Sequence, residues 1–354
     1  MIRKWYFAVN ECGARGIYDR LIRAAVRSCR ANTGLQPVCL YDGGDIPLLD
    51  WLAAHGVTVI RHRVSIAEAI DRCPPMPNWD AAIARGACLR IDLPLIETED
   101  EFVLYTDNDV LFLSDLGSTP EPEFFACAPE FAPDDWSYVN TGAMIVNVPA
   151  MRREHAAFAA FAAANLHRLH REKGPAYDQN AYNAFFAGRW SRLPLDLNWK
   201  PYWGIARPRI VHFHGPKPMH IDAILRGAHD LPPVLHELVE QDRMASAYWL
   251  GCWNAFGNVD AEIIKGFVDT VTREGGATRI SGWAADQRGR PVARLRVHAD
   301  GIEVGHRRIQ VARDDVARAG AGTAACGFEL VLEGEIDAPY VIAGTDTVLP
   351  RSTP

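Results

Sequence analysis

The chain has 354 residues, enough for two domains, and its 48% hydrophobic content permits a sizeable core. A formal net charge of −7 argues against a general binder of nucleic-acid phosphates. No apolar run reaches the roughly 18 residues that would predict a membrane span.

The N-terminus enters a strand-like run directly, without the long apolar core of a signal peptide. The eight cysteines are scattered and form no Cys-x-x-Cys pair. Reduced thiols, no zinc site and a cytoplasmic setting are therefore expected.

In chain order, residues 5–9 read as a strand that ends at Asn10-Glu11. After a loop with Gly13 and Gly16, the residues Ile17, Leu21, Ala24, Ala25, Ser28 and Cys29 share one helical face. Residues 37–41 read as a second strand, 48–55 as a helix and 57–60 as a third strand. Such alternation predicts a parallel α/β sheet, with its ligand beyond the C-terminal ends of the strands. Asn10 and Glu11 should thus lie at the ligand edge. Residues 81–95 follow a helical pattern, carry Arg85 and Arg90, and meet Pro94 near their end.

Residues 102–113 form an apolar run interrupted only at its centre, by Thr106-Asp107-Asn108-Asp109. Runs of this kind read as strands buried on both faces of a parallel sheet. Carboxylates there are costly unless paired or bound to a cation. If the backbone turns between them, Asp107 and Asp109 can converge on one ion, and hard oxygen ligands suit Mg²⁺ or Mn²⁺. The alternative is a plain surface turn, for which Asp-Asn-Asp is also good chemistry.

Residues 136–147 place Asn140-Thr141-Gly142 ahead of another apolar strand. An alanine-rich helix is expected over 151–172, with His155, His167 and His170 facing solvent. Residues 177–183 open a further helix, where Asp178 can serve as N-cap. A strand beginning at residue 210 would deliver His212 at its end, before a Gly215-Pro216 turn and Lys217 between two prolines. An imidazole beside two carboxylates suits Mn²⁺, and a lysine five residues on suits a phosphate held by the same ion. His214 is either a second ligand or, as expected here, a hydrogen-bonded loop histidine.

These residues carry a resemblance. The chain resembles the GT-A glycosyltransferases, and among them the retaining glycosyltransferase family 8, which includes glycogenin and bacterial lipopolysaccharide galactosyltransferases. Four motifs follow the family's order: Asp107-Asn108-Asp109, Asn140-Thr141-Gly142, Asp178-Gln179, and the stretch from His212 through Gly215 and Lys217 to Met219. The last has one residue fewer between Gly215 and Lys217 than is usual, and Met219 in place of tryptophan. The stretch around Arg90 resembles the family's segment bearing a sugar-contacting arginine.

The resemblance covers roughly residues 3–220 and implies a Rossmann-like, mainly parallel mixed sheet. It implies that Asp107, Asp109 and His212 hold Mn²⁺ or Mg²⁺ against the diphosphate of a nucleotide sugar, most often UDP-linked, with Lys217 on the same phosphates. Asn140, Asp178 and Gln179 would surround the sugar, with Gln179, Asp178 and Lys217 the catalytic group. Arg90, Asn108, Thr141, Gly142 and Gly215 would complete the donor site, and Asn10 and Glu11 would lie near the nucleoside.

Beyond residue 257 the pattern changes. Turns recur at Gly275-Gly276, residues 286–289, Asp300-Gly301 and Gly334. Strand-like runs lie between them at 278–284, 293–298, 328–332 and 340–343. A small all-β sandwich is expected over 258–354, after an α/β domain over 1–257. Ser281-Gly282-Trp283, residues 313–316 and Cys326-Gly327-Phe328 resemble a β-domain appended to some bacterial glycosyltransferases. That domain either docks carbohydrate or serves packing and assembly, and Trp283 is expected in its core.

The expected function is metal-dependent, retaining transfer of a hexose from a nucleotide sugar to a glycan, lipid-linked or protein acceptor. The expected place is the bacterial cytoplasm or the inner face of a membrane. A nucleotidyltransferase acting on sugar phosphates and a non-catalytic glycan-binding protein are the alternatives.

Overall fold

The computed structural model describes residues 2–174, 176–257, 264–286, 289–292, 294–299, 302–344 and 347–351. The chain divides into two compact units, Met1–Gly257 and Asn258–Pro354. Among the described residues no helix is long and apolar enough to cross a membrane.

The first unit opens with β1 (Lys4–Asn10), the single turn α1 (Glu11–Ala14), α2 (Ile17–Asn32), β2 (Gln36–Asp42), α3 (Pro47–Ala54), β3 (Thr58–Arg61) and α4 (Ala67–Asp71). Ile17, expected on the buried face of α2, is 41% exposed. It occupies the first position of the helix, where the chain has not yet turned onto the sheet. The helical stretch at 81–95 is three pieces: α5 (Ala81–Cys88), a 3₁₀ turn (Leu89–Asp92) and α6 (Leu93–Ile96). Pro94 lies in the first turn of α6, where a missing N–H costs nothing.

The apolar run at 102–113 is likewise divided, into β4 (Phe102–Thr106) and β5 (Val110–Phe112). Next come β6 (Phe125–Pro129), β7 (Val139–Asn147), α7 (Val148–Lys173), α8 (Tyr177–Phe185), β8 (Ser191–Arg192) and β9 (Ile210–His212). The unit closes with α9 (Pro218–Leu225), α10 (Pro233–Gln241) and α11 (Arg243–Gly257). Trp249 and Trp253 are buried within this unit, packed with Phe213 and Ile221.

The main sheet runs β3-β2-β1-β4-β7-β6-β8. β3, β2, β1 and β4 are mutually parallel, while β7 is antiparallel to both β4 and β6. Alternate residues of β1 enter different cores. Tyr6 and Ala8 pack on one side with β4's Val103 and Tyr105, and Trp5, Phe7 and Val9 pack on the other with Leu104. Burial on both faces explains why these strands read as unbroken apolar runs. β5 leaves this sheet and pairs antiparallel with β9.

Two expectations for α7 and α8 fail. His155 is not solvent-facing: its Nε2 lies 2.7 Å from Asp92 Oδ1, and His62 Nε2 lies 2.7 Å from Oδ2. His170 is buried beside the Pro77 carbonyl. A fully buried carboxylate such as Asp92 needs such partners. Asp178 is not an N-cap, because Ala176 holds that position and Asp178 turns inward.

The second unit contains β10 (Lys265–Glu274), β11 (Ala277–Ala285), β12 (Leu295–Ala299), β13 (Ile302–Val304), β14 (Arg307–Val311), the short α12 (Asp314–Arg318), β15 (Gly327–Glu333), β16 (Tyr340–Ala343) and β17 (Thr347–Val348). Two four-stranded antiparallel sheets, β10-β11-β15-β14 and β13-β12-β16-β17, enclose one core. Phe328, Leu330 and Leu332 alternate into it along β15, opposite Val297 and Val341. Gly275 and Gly276, both at positive φ, form the β10–β11 hairpin turn. Trp283 is buried as expected. The expected turn at Asp300-Gly301 and part of that at 286–289 lie outside the described residues.

Candidate active site

The acidic pair occupies the link between β4 and β5, and the link is clamped on all sides. Thr106, fully buried, accepts from Trp5 Nε1 at 2.8 Å and donates to the Asp107 carbonyl at 2.8 Å. Asp107 N donates to the Gly142 carbonyl of β7 at 2.9 Å. Asn108 Nδ2 donates to the Ala8 carbonyl of β1 at 2.8 Å. Phe213 N donates to the Asp109 carbonyl at 2.8 Å. A loop held by four backbone contacts points its carboxylates without further ordering cost.

Pairing of β5 with β9 sets Val110 opposite His212 and so brings the imidazole to the acids. Ligand atoms of Asp107, Asp109 and His212 all lie within 4.8 Å of one another. Two carboxylates and one imidazole nitrogen at this spacing suit a divalent cation such as Mn²⁺ or Mg²⁺. Burial opposes ionisation of Asp109, yet Lys217 and His212 hold its carboxyl well below the usual carboxylate range. Lys217 Nζ donates to Asp109 Oδ2 and, at 3.2 Å, to the Phe213 carbonyl. Arg90 Nη2 lies 3.2 Å from Asp107 Oδ1.

Gly142 is where β7 passes the cluster. A Cβ there would lie 2.2 Å from His212 Cε1 and 2.9 Å from Asp107 Oδ2. Gly142→Ala should therefore displace His212, cost about 1–3 kcal/mol of stability, and lose divalent-ion binding while the protein still folds. Thermal denaturation with and without Mn²⁺ measures both effects, and an ion-induced stabilisation equal to wild type would contradict the expectation.

The cluster opens into a cavity of about 310 Å³ whose wall includes Asn10, Tyr18, Arg90, Asn108, Asn140, Asp178, Gln179, His214 and Lys217. Of the expected site residues, Glu11, Thr141, Gly142, His212 and Gly215 do not line it. Glu11 accepts from Gly44 N at 2.9 Å and pairs with Arg15. Gly215, at φ +72°, makes the turn that leads back to Lys217, and a Cβ there would strike Leu238. Asn10 reaches the wall while capping α1, accepting from Gly13 N at 2.9 Å.

Asp178 is fully buried and faces Arg90. Nη2 of the guanidinium donates to Oδ1 at 3.3 Å, and Nε lies 2.7 Å from Oδ2 without the angle of a hydrogen bond. Burial raises the Asp178 carboxyl to about 6, with Asp107 adding to the rise and Arg90 opposing it. A folded-state pKa above the ordinary 3.8 means the native protein binds the proton more tightly than the unfolded chain. The resulting stability is present below 3.8 and is lost as pH rises through about 6. The stability of wild type minus that of Asp178→Asn should accordingly fall over this window in chemical denaturation; a flat difference would contradict the assignment.

Sequence reasoning missed Glu130, which joins the remaining polar groups. Its carboxylate accepts from Asn140 Nδ2 at 2.8 Å and Gln179 Nε2 at 2.9 Å, and lies 3.0 Å from His214 Nε2. Burial alone would raise it, but His214 and the Asn140 amide hold it down to about 2. Gln179 Oε1 accepts from Thr141 N at 2.9 Å. His214 is a hydrogen-bonded loop histidine, with Nδ1 2.7 Å from the Tyr202 hydroxyl. Beneath them Lys200 is fully buried, donating to the Pro129 carbonyl at 2.7 Å, and burial lowers its pKa to about 7. Glu130 directly follows β6, a strand with no alternating pattern, and no motif flagged it.

No protein-family model and no curated protein matches the chain. Among solved structures it is similar to the glycosyltransferase GlyE of Streptococcus pneumoniae TIGR4, with 19% identity, a TM-score of 0.45, and coverage of 72% of this chain and 64% of that one. The chain thus spans less than two thirds of GlyE's length. It is also similar to the galactosyltransferase LgtC, solved with donor and acceptor sugar analogs, with 17% identity, a TM-score of 0.49, and coverage of 69% and 95%. A third similar structure is mouse xyloside xylosyltransferase 1, with 12% identity, a TM-score of 0.42, and coverage of 60% and 97%. At such identities and scores the likeness says nothing of substrate, and the chemistry must come from the side chains of the site.

Proposed function

We propose that the first unit is a metal-dependent GT-A glycosyltransferase that moves a hexose from a nucleotide sugar, UDP-linked, to a glycan, lipid-linked or protein acceptor with retention of configuration. One observation carries this reading: Asp107, Asp109 and His212 converge, with Lys217 and Arg90 beside them, and all of these but His212 line a cavity whose wall also includes Asp178 and Gln179. Asp107, Asp109 and His212 would hold Mn²⁺ or Mg²⁺, which supplies Lewis-acid stabilisation of the leaving diphosphate. Lys217 adds a point charge for the same phosphates.

Arg90 keeps Asp178 and Asp107 apart in charge and anchors the strand carrying Thr141, whose carbonyl accepts from Nη1. Asp178, committed to Arg90, acts as a positioning carboxylate in this scheme and not as a free nucleophile. Gln179 is held by Thr141 and Glu130 with its amide on the cavity wall, where a fixed dipole counts most once charge develops at the anomeric carbon. Among the described residues lining the cavity every carboxylate and the one histidine are already paired, and the resemblance at Asp178-Gln179 points to retention.

A screen of nucleotide sugars for Mn²⁺-dependent hydrolysis, read by mass spectrometry, tests the donor class. Proton NMR of the fresh product tests the stereochemistry. An α-linked product from an α-linked donor is expected; a β-linked product would overturn retention.

A further inference from the structure

Which nitrogen of His212 carries a proton decides whether that ring can bind a cation at Nε2, and the side chains behind it fix the answer. Nδ1 lies 2.9 Å from Asn198 Oδ1, and Nε2 lies 3.3 Å from Asp109 Oδ1. Only the first contact has the geometry of a hydrogen bond, and which of its partners donates must come from elsewhere. It comes from a backbone N–H, whose role is unambiguous. Gly142 N donates to Asn140 Oδ1 at 3.1 Å, so that atom is the amide oxygen. The Asn140 Nδ2 then faces the Glu130 carboxylate at 2.8 Å, which only accepts. Asn198 Nδ2 donates to the same Asn140 Oδ1 at 3.0 Å. Asn198 Oδ1 must therefore face His212 and accept from it. Asn140 and Asn198 are 3% and 0% exposed, so water does not compete for these bonds.

We infer that the buried chain Glu130–Asn140–Asn198 fixes the ring tautomer of His212, placing the proton on Nδ1 and leaving Nε2 unprotonated beside Asp109. The inference rests on the reading of Asp107, Asp109 and His212 as cation ligands. It assigns Asn198 as a positioning residue that acts through His212. An unprotonated Nε2 3.3 Å from a carboxylate oxygen is a poor arrangement for the neutral ring and a good one for a ring sharing a cation with that carboxylate. The same chain links the ligand to Gln179 through Glu130, so the imidazole and the amide on the cavity wall are held by one network.

The test begins with the full-length, metal-free protein at about pH 8, above the ordinary imidazole range. Nitrogen NMR of the His212 ring should show a protonated Nδ1 and an unprotonated Nε2. Asn198→Leu removes the acceptor and should lower Mn²⁺ affinity about 10- to 100-fold, read by electron paramagnetic resonance of free Mn²⁺, with the ring shifting to its Nε2–H form. Asn198→Asp keeps an acceptor opposite Nδ1 but loses the donor to Asn140 Oδ1, so it should keep the tautomer while giving up part of the affinity. A merely structural Asn198 would leave the tautomer unmoved in Asn198→Leu, which would overturn the proposal. So would a proton on Nε2 in the wild-type protein, a result that needs no variant to fold. A wild-type Nδ1–H ring in a protein that binds no Mn²⁺, alone or with UDP, would uphold the network and overturn the metal-dependent reading instead.

Discussion

Asp109→Asn and His212→Ala should each weaken Mn²⁺-dependent UDP binding at least about 100-fold, the upper end of what even a supporting residue around a metal costs. Asp109 is 4% exposed and accepts from Lys217 while facing His212. Neutralising it removes a ligand atom and the carboxylate that holds Lys217, so ion and phosphate contacts fail together. His212→Ala removes the nitrogen but leaves Lys217 paired, so residual UDP binding without metal should survive better in that variant. Titration calorimetry of UDP with Mn²⁺ or with chelator measures both. UDP binding indifferent to the chelator and to both substitutions would sink the metal assignment.

Arg90→Ala should cost about 3–5 kcal/mol of stability, the range for stranding one member of a buried ion pair. Arg90 is 7% exposed and lies against Asp178 and Asp107, with its guanidinium carbon 4.8 Å from the Tyr105 ring centroid. Its loss leaves Asp178 buried with a like charge nearby and no cation in contact. Adding Asp178→Leu to Arg90→Ala should recover much of the loss, because an apolar residue needs no partner there. Chemical denaturation of the two single variants and the double variant gives the coupling energy. Equal losses in the Arg90→Ala single and the double variant would mean that the arginine acts through packing on Tyr105 and not through charge.

The first two strands were legible as unbroken apolar runs because both their faces are buried, and the helix over Ile17–Asn32 because one of its faces is. The cluster of Asp107, Asp109 and His212 was legible for a different reason: these residues interrupt apolar runs where polar residues need a purpose. Glu130 gave no such signal. It lies at the end of β6, whose five residues are all buried, and its partners Asn140, Gln179 and His214 come from three other segments. Nor could periodicity show that His155 would find Asp92 across 63 positions. The split of the run over 102–113 was hidden because β4 and β5 are equally apolar and differ only in which sheet they join. Composition reports burial, whereas the choice of partner strand is a long-range property.

That choice has a kinetic meaning. β5 and β9 are separated by about 100 residues, and only their pairing sets His212 beside the acids. Closing a segment of that length is entropically costly before any contact repays it. Contacts of high sequence separation are the slow ones in folding. The proposed cation site thus comes into being when these two distant strands meet, not when the acidic loop forms. A paramagnetic ion added during refolding would time that meeting directly: tight binding should appear in step with burial of Trp249, which packs with Leu111 of β5 and Val211 of β9.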